Sequence, residues 1–153
     1  MRNNQEQHLN VLKLTENAKL PTRNNKTDAG LDLYCIESVF IPVGSTKIVK
    51  TGISISIPVG HVGKIEDRSS MAAKGLRTGG GVIDAGYTGE VGVIIHNLTN
   101  TTGSSSDGRG YLIESGQKIA QLLIYKVETP DVLEVKETWT SDRGEKGFGS
   151  SGV

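Results

Sequence analysis

The chain predicts an all-β fold, and three observations carry that expectation. Glycine supplies 20 of the 153 residues, well above the ~7% of an average protein, so turns are frequent. Between residues 47 and 57, Ile53, Ile55 and Ile57 alternate with Ser54 and Ser56, the period of two that marks a half-buried strand. Helical periodicity is scarce, and only residues 67–75 make a convincing short helix.

Taken in order, residues 1–8 are polar and predict a disordered lead-in. A first strand is expected over 8–14, where Leu9 and Val11 share a side. Residues 17–28 are polar, contain Pro21 and suit a loop. In the next run Leu31, Leu33 and Cys35 face one way while Asp32 and Tyr34 face the other. A short strand over 38–42 closes at Pro42-Val43-Gly44, and a long one follows over 47–57. After the turn Pro58-Val59-Gly60 comes a strand over 61–66. The short helix over 67–75 has Asp67, Ser69 and Ser70 as candidate caps and Gly75 as its stop. Asp84-Ala85-Gly86, between two β-rich runs, signals a hairpin. Further strands are expected over 90–97, from 118 to 124, and over 131–139. Residues 97–110, rich in Asn, Thr, Ser and Gly, predict an exposed loop.

Length fits one domain with a real core. Lys plus Arg and Asp plus Glu both number 17. That balance argues against nucleic acid or an acidic membrane as the main partner. Cys35 is the single cysteine, which excludes an internal disulfide. His8, His61 and His96 are scattered and show no metal-ligand spacing. No apolar run approaches the ~20 residues of a membrane span, and the polar N-terminus lacks the apolar region of a signal peptide. A cytoplasmic protein is expected, or one of the host cytoplasm or nucleus if a virus encodes it. Gly116-Gln117-Lys118 lacks the spacing of a phosphate-binding P-loop, and no nucleophile elbow occurs.

Four stretches hold groups that can do chemistry. In residues 79–90, glycines flank Val82-Ile83, Asp84 and Tyr87. Such a stretch is a tight turn in its plainest reading, or else a backbone edge that reads a planar base beside a carboxylate and a ring. Arg68, Ser69 and Ser70 open the short helix, as an ordinary capped turn or as an anion site. Gln121 lies inside an apolar run and needs a partner for its amide. The glycine-rich end, Arg143-Gly144-Glu145-Lys146-Gly147-Phe148-Gly149-Ser150-Ser151-Gly152-Val153, spends one of only two phenylalanines outside the core. It reads as a flexible tail that folds over a ligand.

Five stretches, in order, resemble the five motifs of the trimeric dUTPases. They are residues 28–34, 68–75, 81–90, 116–122 and 143–153, with the tail the most specific. The resemblance implies a jelly-roll-like β-barrel over 1–140 and a mobile arm over 141–153 that closes on a neighbour's site in a homotrimer. It implies hydrolysis of dUTP to dUMP and diphosphate with Mg²⁺ held by the triphosphate and water rather than by protein ligands, lowering dUTP and supplying dUMP for dTTP synthesis. Asp84 would orient and deprotonate the attacking water. Backbone groups of Gly81, Val82 and Ile83 would pair with uracil, with Thr78 in the adjoining strand, and Tyr87 would exclude a 2′-hydroxyl. Arg68, Ser69, Ser70 and Gln121 would hold the phosphates. Phe148 would stack on the base, Arg143 and Ser150 would meet the terminal phosphate, Gly149 would allow close approach, and Asp32 would support the site. Asp67 departs from the pattern, since a carboxylate beside phosphates weakens binding unless it turns away or pairs with Arg68. Two alternatives stay open: a dCTP deaminase relative, and a nucleotide-gated regulator whose protein partner would meet residues 97–110.

Overall fold

The computed structural model describes residues 8–99, 109–137, 140, 141 and 144. The expected all-β architecture is what it shows, with a single turn of helix. In chain order the strands are β1 (Asn10–Lys13), β2 (Leu31–Tyr34), β3 (Val39–Pro42), β4 (Thr46–Lys50), β5 (Ile53–Ser56) and β6 (His61–Glu66). Then come α1 (Ser69–Ala72), β7 (Leu76–Gly79), β8 (Val82–Ile83), β9 (Gly92–Asn97), β10 (Gly110–Ile113) and β11 (Lys118–Lys126). They form four small sheets, ordered β2-β11-β6-β8, β4-β9-β7, β1-β5 and β10-β3. Every pairing is antiparallel. Inward positions of most strands meet in one apolar core that includes Leu33, Ile41, Ile53, Ile55, Val93, Ile95, Ile113 and Leu122. Burial of such a core is the main favourable term in folding.

Several expected elements come out differently. The long strand over 47–57 breaks at Gly52, whose φ of 68° only glycine adopts readily. A Cβ there would lie 2.8 Å from Thr15 Oγ1 and 2.9 Å from Ile36 Cγ2. At this break the chain changes sheets, since β4 pairs with β9 and β5 with β1. Alternation alone does not reveal the break, because both halves keep the same period.

The turn at Asp84-Ala85-Gly86 is present, closed by the Tyr87 amide donating to the Asp84 carbonyl at 3.0 Å, but it does not join a hairpin. β8 pairs with β6, while β9 pairs with β4 and β7. Glycines leave β8 only two residues long and carry the chain to another sheet. No strand forms over the described part of 131–139; Val132 and Leu133 are 100% and 82% exposed. Residues 138 and 139, most of the expected loop over 97–110, and the tail residues Arg143, Phe148, Gly149 and Ser150 lie outside the described residues.

The helix is shorter than expected. Arg68 occupies the N-cap position in extended backbone, and no side chain caps it. Gly75, at φ 79°, reverses the chain three residues after α1. Among the described residues no helix is long and apolar enough to cross a membrane.

Candidate active site

β11 lies between β2 and β6, so Gln121 stands across from Asp32 on one side and Glu66 on the other. One residue beyond Glu66 is Asp67, and Arg68 then leads into α1. Sheet pairing thus gathers three distant parts of the sequence into a cleft of about 650 Å³. Asp32, Arg68, Ser69, Ser70, Lys118 and Gln121 line it.

Within the cleft one carboxylate holds two cations. Asp32 Oδ1 accepts from Arg68 Nε at 2.8 Å, and its Oδ2 pairs with Lys118 Nζ at 2.7 Å. The bond to Asp32 holds the Lys118 ammonium above the ordinary lysine range, against a smaller opposing effect of burial. A guanidinium carries five N–H donors and an ammonium three, so both cations retain donors for a further anion. Asp28 also lines the cleft, but its carboxylate accepts from the Asn25 amide N–H at 2.9 Å. The hydroxyl-bearing Ser69 and Ser70 are exposed on the single turn of α1. With only four residues, that turn adds little dipole, and the anion-binding capacity rests on the side chains.

A bulge explains how Lys118 reaches Asp32. The register shifts between Lys118 and Ala120, so Ile119 and Ala120 both turn into the core. Lys118 is thereby re-aimed toward the side of Gln121 and Asp32.

The Gln121 amide has the partner it needs, donating from Nε2 to the Asp67 carbonyl at 2.8 Å. Its Oε1 packs over Gly30, where a Cβ would approach to 2.1 Å. Asp67 itself turns away from the cleft. Its Oδ1 accepts from the Thr78 amide at 2.6 Å and the Thr78 hydroxyl at 2.9 Å, and its Oδ2 pairs with Arg77. Burial pushes its pKa up, but the Thr78 and Arg77 donors outweigh that and hold it below the usual carboxylate range. Asp67 therefore neither caps α1 nor pairs with Arg68. Thr78 stands outside the cleft with its hydroxyl held.

The second group of expected residues lies around a separate hollow of about 190 Å³, lined by Val82, Ile83, Asp84, Tyr87 and Glu90 among others. Among the described residues β8 is an edge strand, with no strand beside one side of its backbone. Gly81 is required there: a Cβ would come within 2.4 Å of the Ile65 carbonyl oxygen. The Ile65 amide donates to the Gly81 carbonyl at 2.7 Å. Asp84 is exposed at the turn, and among the described residues nothing bonds its carboxylate. Tyr87 lays its ring across Gly89 and donates its hydroxyl to the Glu90 carbonyl at 2.8 Å. Among the described residues none lines both the cleft and the hollow.

A family model described as dUTPase matches residues 16–152. The chain belongs to the dUTPase family. It is 40% identical over 150 residues to the deoxyuridine 5′-triphosphate nucleotidohydrolase of Debaryomyces hansenii, covering 96% of this chain and 89% of the relative. The enzyme of that name from Oryza sativa subsp. japonica is 41% identical over 146 residues, covering 95% and 81%. Among solved structures, the dUTPase of Staphylococcus bacteriophage 80alpha with dUpNHpp matches with a TM-score of 0.86 and 38% identity, covering 95% of this chain and 99% of that one. A variant of the phage phi11 dUTPase, described as coordinating a structural Mg(II) ion, matches with a TM-score of 0.78 and 37% identity, covering 86% and 98%. As a dUTPase, this chain is a hydrolase of dUTP with the family's β fold.

Two residues of this dUTPase escaped the sequence reading. Lys118 joins the cleft only through the bulge. Glu90 lines the hollow and bonds Gly52 across 38 positions of sequence; nothing in a local pattern signals a contact of that range.

Proposed function

We propose that this dUTPase hydrolyses dUTP by attack of water on the α-phosphorus, with the cleft holding the phosphates and the hollow holding the deoxyuridine. One observation carries the division. Cations and hydroxyls collect in the cleft, while the Asp84 carboxylate, an aromatic ring and an open strand edge collect in the hollow.

The outer edge of β8 offers the backbone N–H and C=O of Val82 to the uracil edge, with Gly81 and Ile83 on either side facing β6. Tyr87 packs against the deoxyribose and leaves no room for a 2′-hydroxyl. Arg68, Ser69, Ser70 and Gln121 hold phosphate oxygens, joined by Lys118, with Asp32 keeping the two cations apart and oriented. Thr78 has a supporting role through Asp67. Asp84 aligns a water and accepts its proton as the new bond to the α-phosphorus forms. The bond from that phosphorus to the bridging oxygen breaks, and diphosphate leaves with the electron pair. Carboxylates are weak bases, so the position of Asp84 matters as much as its basicity.

Among the described residues no three His, Cys, Asp or Glu side chains converge on a metal position, and both oxygens of Asp32 are paired with cations. Such a donor set suits Mg²⁺ carried in on phosphate oxygens and waters, which is how this ion is commonly bound. It would supply charge neutralisation to the phosphate chain. Arg143, Phe148, Gly149 and Ser150, on the arm 141–153, would complete the site as the family resemblance implies, closing it against bulk water.

A homotrimer is part of the proposal. The cleft and hollow are distinct in one chain, as expected if each active site joins the cleft of one subunit to the hollow of another. The exposed Val132, Leu133 and Val135 suit a segment that packs on a neighbour. A cytoplasmic location, where nucleotides are made, accords with the reaction.

Diphosphate release from dUTP, dCTP, dTTP and UTP, in parallel with Mg²⁺ and then with EDTA, tests the reading. Rapid release from dUTP alone, lost with EDTA, is expected. Release from dCTP, or none from dUTP while it still binds, would overturn it.

A further inference from the structure

The loop that carries Tyr87 is fastened to the junction of β4 and β5. Ser54 Oγ donates to the Thr88 carbonyl at 2.9 Å, and the Val91 amide donates to the Ile53 carbonyl at 2.8 Å. Thr51 Oγ1 donates to the Val91 carbonyl at 2.5 Å. Between them Glu90 reaches back, and its Oε1 accepts from the Gly52 amide at 2.8 Å. That amide belongs to the residue at which the chain changes sheets, and its positive φ fixes the direction of the N–H. The backbone carbonyl of Glu90 is also the acceptor for the Tyr87 hydroxyl. The ring is pinned from below as well, because Gly89 lets its phenol oxygen approach to within 2.6 Å of where a Cβ would stand.

Glu90 therefore links two things that a sequence keeps apart: the rigid break at Gly52 and the position of an exposed ring. We infer that Glu90 is a specificity-determining positioning residue, whose carboxylate, anchored on the Gly52 amide, fixes the carbonyl that holds Tyr87 against the sugar. The inference rests on the reading of this hollow as the deoxyuridine site. Discrimination by close packing requires that the packing group cannot retreat. A Tyr87 ring tied only by its own backbone would move aside for a 2′-hydroxyl. One tied through its hydroxyl to a carbonyl that is itself held by Glu90 does not.

The test is kcat/KM for dUTP and for UTP in the full chain and in Glu90→Ala, Glu90→Gln and Tyr87→Phe. Loss of the acceptor in Glu90→Ala should lower the preference for dUTP over UTP about tenfold, the effect of one hydrogen bond. Most of the change should come from better use of UTP, read from kcat/KM for the two substrates separately. Glu90→Gln retains an Oε1 acceptor and should restore most of the preference. Tyr87→Phe cuts the same chain of bonds further along, so the double variant Tyr87→Phe/Glu90→Ala should be no more permissive than either single one. A parent-like preference in Glu90→Ala, or a Gln variant as permissive as the Ala variant, would overturn the inference. Should Glu90→Ala not fold, Tyr87→Phe decides alone, and an unchanged preference in it is equally fatal. Absence of dUTP turnover in the parent chain is a different failure and would overturn the assignment of the hollow itself.

Discussion

Gly30→Ala isolates what the Gln121 amide does. Gly30 sits immediately before β2, and a Cβ built on it lies 2.1 Å from Gln121 Oε1, 3.0 Å from its Cδ and 3.1 Å from its Cβ. Favourable contact begins at about 3.5 Å, so the amide must swing by more than an ångström. Its φ lies outside the left-handed region, and the alanine itself meets no backbone penalty. Swinging the amide breaks the bond from Nε2 to the Asp67 carbonyl. That bond stabilises by about 0.5–1.5 kcal/mol, and the stiffer unfolded chain returns about 0.4–1 kcal/mol. The two nearly cancel, so Tm should fall by no more than about 4 °C for a chain of this size.

Substrate handling should suffer far more. The displaced amide no longer faces the phosphate oxygens, and a hydrogen bond to a charged group contributes about 1.5–3 kcal/mol. KM for dUTP should therefore rise roughly tenfold to a hundredfold, at 1.36 kcal/mol per tenfold. Initial rates of diphosphate release against dUTP concentration, with a thermal melt of the same preparation, measure both quantities. Gln121→Ala should show the same loss, and the double variant should be no worse. A Gly30→Ala chain with the parent KM would refute the reasoning, because the amide would then have no part in holding the phosphates.

Two further outcomes follow from the geometry. Asp84→Asn should lower kcat by about 10²–10⁴, the usual contribution of a positioned base, while dUTP still binds by calorimetry; parent-like turnover would remove Asp84 from the role of base. Asp67 has its folded pKa depressed below the 3.8 of an ordinary aspartate, so its contribution to stability is present above that pH and lost as pH falls through the folded value. Asp67→Asn should accordingly melt below the parent at pH 7, with the difference shrinking toward pH 3, and a difference independent of pH would mean that the hydrogen bonds to Thr78 matter and the charge does not.

How much of this was legible in the sequence depends on the range of the interaction. Period-two alternation marked β2 and β5 because each keeps one face in the core, an apolar run marked β11, and the family motifs named most residues of the cleft and the hollow. What failed had a long-range cause. The break at Gly52 follows from crowding by Thr15, Ile36 and Ala18, none of them near it in sequence. The turn after Asp84 was read as a hairpin because turn chemistry is local, whereas the choice of partner strand is not. Residues 131–139 alternate like a strand, yet their described part pairs with no strand of this chain and leaves Val132 and Leu133 exposed. Asp67 was the informative departure: judged beside Arg68 it threatened the phosphate site, and only the proximity of β7 reveals Arg77 and Thr78 as its partners.

The separation of cleft from hollow has a consequence that the single chain cannot express. If each active site joins the Asp84 of one subunit to the Arg68 of another, two inactive variants can repair each other. Asp84→Asn and Arg68→Met, mixed in equal amounts and allowed to exchange subunits, assemble at random in a cyclic trimer. A site is then intact when the subunit giving Asp84 carries only the Arg68 change and the subunit giving Arg68 carries only the Asp84 change. Each condition holds for half the subunits, so about a quarter of the sites recover in a symmetric ring. If instead both groups act within one chain, every site keeps one defect and nothing recovers. Diphosphate release before and after subunit exchange distinguishes the cases without any assumption about the arm. Recovery near a quarter of parent activity supports sites shared between subunits, and none at all after demonstrated exchange refutes it.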